Sequence, residues 1–138
     1  MQTRSWVSAL AIFAFALPGS ARASLTQDSF LLRNTRDLID LCSAPQSDPL
    51  YTAATNLCQG FVLGVYQVLN EEDLAEKSRR MFCPDPTPTR NQGIASLVQW
   101  AKSNPDQMNL PPADGIASFL SQQYPCRPGP LGGSRARG

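Results

Sequence analysis

Apolar residues recur at spacings of three and four along most of this chain, which is the period of an amphipathic helix. A short helix is predicted from Thr35, whose hydroxyl would cap it, to Cys42. A longer one opens at Asp48-Pro49, with Asp48 as N-cap and proline at the tolerated first position. The inward positions of this second helix are Leu50, Ala54, Leu57, Cys58, Phe61, Val65 and Val68. The charged stretch 70–80 that follows is predicted to be a solvated last turn plus a short helix.

Two more helices are predicted in the second half. Thr89 and Gln92 match the capping box that starts a helix, and this third helix stops at Asn104-Pro105. Pro111-Pro112 opens a fourth helix that ends before Cys126, while the prolines after Cys83 predict a rigid, non-helical connector. Their core positions are Ile94, Leu97, Val98 and Ala101, then Ile116, Phe119, Leu120 and Tyr124. Residues 26–33 fit either a helix or an extended arm, so the pattern predicts a small all-α bundle of about four to five helices.

The N-terminus has the pattern of a signal peptide. Arg4 precedes an apolar run from Trp6 to Leu17, and Ala21-Arg22-Ala23 offers small residues at a cleavage site, so residues 1–23 are expected to be removed after Ala23. The run is too short to span a bilayer, and no second one follows. Residues 24–126 are then one helical domain, and the Gly/Pro/Arg-rich tail 127–138 is predicted to be disordered.

An exported chain with an even number of cysteines is expected to carry disulfides. The four cysteines are Cys42, Cys58, Cys83 and Cys126, which allow three pairings. We favour Cys42–Cys58, across an antiparallel hairpin, together with Cys83–Cys126, which would attach the end of the fold to its middle. An all-thiolate zinc site is disfavoured because the cysteines form no C-x2-C pair.

Charge and composition exclude several functions. The segment 24–126 holds 7 basic and 11 acidic residues, which argues against nucleic-acid binding. The chain has no histidine, which removes the common catalytic triads and histidine-liganded metals. The carboxylate pairs Asp37/Asp40 and Glu72/Glu76 lie on predicted polar faces. No catalytic residue, metal or cofactor is therefore expected.

Gly60 and Gly64 lie beside the apolar stripe of the second helix. Glycine in a helix interior costs roughly 1 kcal/mol against alanine, so these two predict close approach of another helix or backbone.

The ordered set of motifs resembles the Rap1a/Tai family of periplasmic immunity proteins. It consists of Leu38–Cys42, the run Cys58-Gln-Gly60-Phe61-Val62-Leu63-Gly64-Val65, Phe82-Cys83-Pro84, the Thr89–Gln92 helix start, Trp100 with Asn104-Pro105, and Tyr124-Pro125-Cys126. The resemblance implies a periplasmic protein that binds and sterically blocks a peptidoglycan amidase delivered by type VI secretion. Members are often dimeric, which implies pairing with a second copy.

No motif marks the inhibitory contact. We expect it at the acidic segment Glu71, Glu72, Asp73 and Glu76, which could face a basic rim on the toxin. The alternatives are an acid-stress or holding chaperone, an envelope structural protein, and a small lipid or ligand carrier.

Overall fold

The computed structural model describes residues 24–75 and 80–126. Within these ranges the elements are a 3-10 helix at Gln27–Leu31, α1 (Thr35–Cys42), α2 (Tyr51–Ala75), α3 (Arg90–Ser103), a second 3-10 helix at Pro105–Asn109, and α4 (Pro112–Gln123). This confirms the predicted all-α bundle. The expected leader 1–23 and tail 127–138 lie outside the described residues.

The cap of α1 differs from the prediction. Asn34 is the N-cap, and its Oδ1 accepts a hydrogen bond from the backbone N–H of Asp37 at 3.0 Å. Thr35 is instead the first helical residue and is fully buried. Its backbone N–H and its hydroxyl both donate to the carbonyl oxygen of Leu110, at 2.8 and 3.0 Å. The prediction was wrong because a distant carbonyl, rather than the local turn, takes the hydroxyl proton.

Helix α2 is one continuous element that includes the first half of the charged stretch. Regular helix begins at Tyr51, three residues later than Asp48, although Asp48 Oδ1 does accept the N–H of Leu50 at 2.8 Å. Asp48 Oδ2 accepts a second hydrogen bond, from the N–H of Leu25 at 3.0 Å. The inward assignment of Val68 was wrong, since this side chain is 57% exposed.

The starts and ends of α3 and α4 follow the sequence signals. Thr89 and Gln92 form the complete capping box, and α4 begins at Pro112. The indole N–H of Trp100 donates to Oε1 of Gln122 at 3.0 Å, which links the two helices. The described helices include none that is long and apolar enough to cross a membrane.

Two apolar clusters make the core. Among the described residues, the larger combines buried side chains from α1, the connector (here residues 80–89, ahead of α3), α3, the second 3-10 helix and α4, and the smaller lies between α1 and α2. The larger contains Leu38, Phe82, Leu97, Trp100, Ala101, Met108, Ile116, Phe119 and Leu120; the smaller contains Leu41, Ala54 and Cys58. The disulfides are Cys42–Cys58 and Cys83–Cys126, the two pairs favoured from the sequence.

Candidate partner-binding surface

The four acids expected at the partner contact do not share one environment. Glu71 and Glu72 are exposed in the last turns of α2. Asp73 is buried, with 7% of its surface exposed. Glu76 lies outside the described residues. Glu71 and Glu72 are thus accessible to a partner, whereas the expectation that Asp73 lies on the contact surface is wrong, because its side chain is buried.

Asp73 is buried because it binds backbone groups of the connector. Its two carboxylate oxygens accept the N–H of Met81 at 3.0 and 2.9 Å, and Oδ2 also accepts the N–H of Phe82 at 3.1 Å. Hydrogen bonds to a carboxylate are among the stronger ones in proteins. The connector is thus held at Met81 and Phe82 against the last turns of α2.

The connector is fixed further at Phe82 and Cys83. The Phe82 side chain is fully buried, and its ring lies 5.8 Å from that of Tyr66 on α2. Cys83 is disulfide-bonded to Cys126, and its backbone N–H donates to the carbonyl of Tyr124 at 2.8 Å. Through these contacts the connector is attached both to α2 and to the chain after α4.

Two apolar side chains beside the exposed acids were missed from the sequence. Leu74, in the last turn of α2, is 53% exposed, and Met81, in the connector, is 46% exposed. Arg80, also exposed, lies next to Met81. The signal was available, since an apolar residue inside a charged run has no solubilising role. We call Glu71, Glu72, Leu74, Arg80 and Met81 the α2-end surface.

The expected close packing at Gly60 and Gly64 is wrong within this chain. Both glycines are exposed, and a Cβ added at either would meet no atom within 4 Å. They lie on the solvent face of α2 with Leu63 and Val68, at helical spacings of three and four. The glycine that is closely packed is Gly115 on α4, where an added Cβ would lie 3.0 Å from Cβ of Thr35 and closer still to its two γ atoms.

The described residues contain no cluster of three or more acidic, cysteine or histidine side chains able to hold a metal ion. Asp37 forms an ion pair with Arg33, Oδ2 to Nε at 3.3 Å, on the surface. At Asp40, partial burial is the largest influence and raises the pKa of the carboxyl, which Arg36 lowers and Asp37 raises. Asp37 is therefore occupied by an ion pair at the surface, and Asp40 is affected chiefly by its own partial burial.

A comparison with protein families places this architecture. Residues 34–126 match the model of the Rap1a immunity proteins, a range that includes all four helices, both disulfides and the α2-end surface. No curated protein and no solved structure matches the chain significantly. The family match covers well over half of the chain and includes every helical motif noted in the sequence. The chain belongs to the Rap1a family of immunity proteins.

Proposed function

We propose that this protein acts in the periplasm as the immunity partner of a peptidoglycan amidase delivered by type VI secretion, binding the toxin and blocking it sterically. The observation that carries the proposal is the family match over residues 34–126. The disulfides support the location, because such bonds persist in oxidising compartments.

Steric inhibition requires a preformed surface on the inhibitor and does not require a catalytic group. The α2-end surface meets this requirement, since its base is held by the Asp73 carboxylate and by the Cys83–Cys126 bond. A preorganised segment loses less conformational entropy on binding than a free one. Leu74 and Met81 supply apolar contact, and Glu71 and Glu72 supply charge that would pair with a basic rim on the toxin.

The function is tested with the oxidised protein from Ser24 to Gly138 and candidate amidases produced by the same cell. We expect one amidase to co-purify with it and to lose its release of cell-wall peptides at equimolar protein. Cells that export this amidase should survive only when the protein is exported too. Repeated capture without any cell-wall hydrolase, together with no protection from the candidate amidases, would reject the proposal.

The contact is tested by reversing charge in pairs. Glu71→Lys with Glu72→Lys should slow association with the amidase at least tenfold at low salt, because steering by complementary charge acts mainly on the association rate. Asp106→Lys with Asp114→Lys is the matched control, since these exposed acids lie on the second 3-10 helix and α4. Equal effects of the two pairs would place the contact elsewhere.

Pairing with a second copy belongs to the same proposal. We place it on the solvent face of α2, where Gly60 and Gly64 would let another helix approach and Leu63 and Val68 would be covered. Light scattering on a size-exclusion column should show a dimer that Gly64→Arg converts to a monomer. Ala95→Arg, on the exposed side of α3, is the control that should leave the dimer intact. A monomer at micromolar concentration before any substitution contradicts this part.

A further inference from the structure

A cavity of about 130 Å³ lies between α2, the connector, the start of α3 and α4. Its floor is made by the buried side chains of Ile116, Phe119 and Leu120. Four of its lining residues are exposed to solvent: Leu63, Thr87, Thr89 and Arg90. An apolar cavity of roughly 150 Å³ stays dry and accepts a benzene molecule. This space therefore suits one apolar group of about that size.

Gly93 keeps the cavity open. It lines the cavity from the first turns of α3, and a Cβ added there would meet no atom within 4 Å. Almost any larger residue at this position would favour the helix more and fill part of the space. Two things are therefore unfavourable here: a glycine lies within a helix, and the apolar space beside it is unfilled. A bound apolar group would offset the second.

Arg90 brings a positive charge to the lining of the cavity. Among the described lining residues it is the one with a charged side chain. Its Nη1 donates to Oε1 of Gln59 at 3.1 Å, and no carboxylate of the described residues forms an ion pair with it. A guanidinium on a residue that lines an apolar cavity favours a carboxylate on whatever occupies the cavity.

We propose that this cavity is a binding site for a small organic carboxylate with an apolar body about as large as a benzene ring. The ring lies against Ile116, Phe119 and Leu120, and the carboxylate lies at Arg90. The site shares no residue with the α2-end surface, so the inference does not depend on an amidase contact there; Leu63 lies both on its lining and on the face of α2 assigned to a second copy.

The probe is phenylacetate, titrated calorimetrically into the oxidised protein from Ser24 to Gly138. We expect saturable binding that Gly93→Phe abolishes, because the new ring occupies the cavity, and that Gly93→Ala retains. Arg90→Gln should weaken phenylacetate about threefold, the size expected for an exposed ion pair. Benzylamine, which carries the opposite charge, should bind more weakly than phenylacetate to the unaltered protein. Gly93→Leu replaces Gly93→Phe if circular dichroism shows that the phenylalanine variant is unfolded.

Three results overturn the inference. The first is no saturable binding of phenylacetate, and the second is equal binding by the unaltered protein and a folded Gly93→Phe variant. The third is binding of a blocked Phe-Asp dipeptide without any binding of phenylacetate, which would assign the cavity to an anchoring side chain of a partner protein. None of these results bears on the amidase assay, so the two proposals fail independently.

Discussion

The two ends of α2 are fixed by different kinds of contact. At its start, Cys42–Cys58 joins two helices across residues 16 apart in sequence, and Asp48 binds the N–H groups of Leu25 and Leu50. Beyond its end, a connector without regular structure is fixed by Asp73 and by Cys83–Cys126, whose cysteines are 43 apart. The first end is a helix hairpin with a bond added to it. The second end depends on individual bonds that reach the chain after α4.

Removing the disulfides one at a time should reveal the largest difference in stability between the two ends of α2. In the chain-entropy model, whose mechanism is debated, loss of Cys83–Cys126 costs about 4 kcal/mol and loss of Cys42–Cys58 about 3 kcal/mol. Cys83→Ala with Cys126→Ala should therefore lower the urea midpoint more than Cys42→Ala with Cys58→Ala. A larger loss from the Cys42–Cys58 pair would reverse the comparison.

The next effect tests helix-to-helix contact at the α1 side. Gly115→Ala puts a Cβ against Thr35, which is fully buried and holds the carbonyl of Leu110. Overpacking of this kind costs about 1–3 kcal/mol. Gly93→Ala is the same change in α3 at a position where an added Cβ meets no atom within 4 Å, and it should stabilise by about 1 kcal/mol. Urea unfolding of both variants measures the contrast, and two shifts of the same sign would contradict it.

Asp73→Ala tests the connector side without touching a disulfide. The N–H groups of Met81 and Phe82 would lose a charged acceptor, and Phe82 is buried, so we expect a loss of about 2 kcal/mol. Amide hydrogen exchange at Met81 and Phe82 should accelerate, with the start of α2 unaffected. Glu72→Ala, one residue earlier and exposed, should change stability by less than about 0.5 kcal/mol. Unchanged protection at both amides would refute the role of Asp73.

The same contrast shows how far the sequence could predict the fold. The start of α3 and the hairpin disulfide depend on residues close in sequence, so Thr89, Gln92, Cys42 and Cys58 were interpreted correctly. Thr35 was not, because its hydroxyl had an acceptor 75 residues away that no local pattern reveals.

The candidate surface shows the same limit. Asp73 was taken for a surface acid like Glu71 and Glu72, because its burial depends on the return of Met81 and Phe82. The cavity beside Gly93 could not be predicted at all, since α2, the connector and two later helices create it together. Apart from the Cys83–Cys126 bond, which was favoured correctly, the contacts between these elements were not determined by the sequence pattern.

The smallest effect concerns Asp40 on α1. Its folded pKa is raised, chiefly by burial, above the ordinary value of 3.8, so the folded state holds this proton more tightly than the unfolded state. This contribution to stability is complete below pH 3.8 and is lost as the pH rises through the folded pKa. Asp40→Asn removes the ionisation, so its stability relative to the unaltered protein should rise across that window and then level off. Asp40→Glu keeps an ionising group and should retain the slope. Urea unfolding from pH 3 to pH 7 measures these differences in the free energy of unfolding. A difference between the Asn variant and the unaltered protein that does not change with pH would show that folding leaves the pKa of Asp40 unchanged.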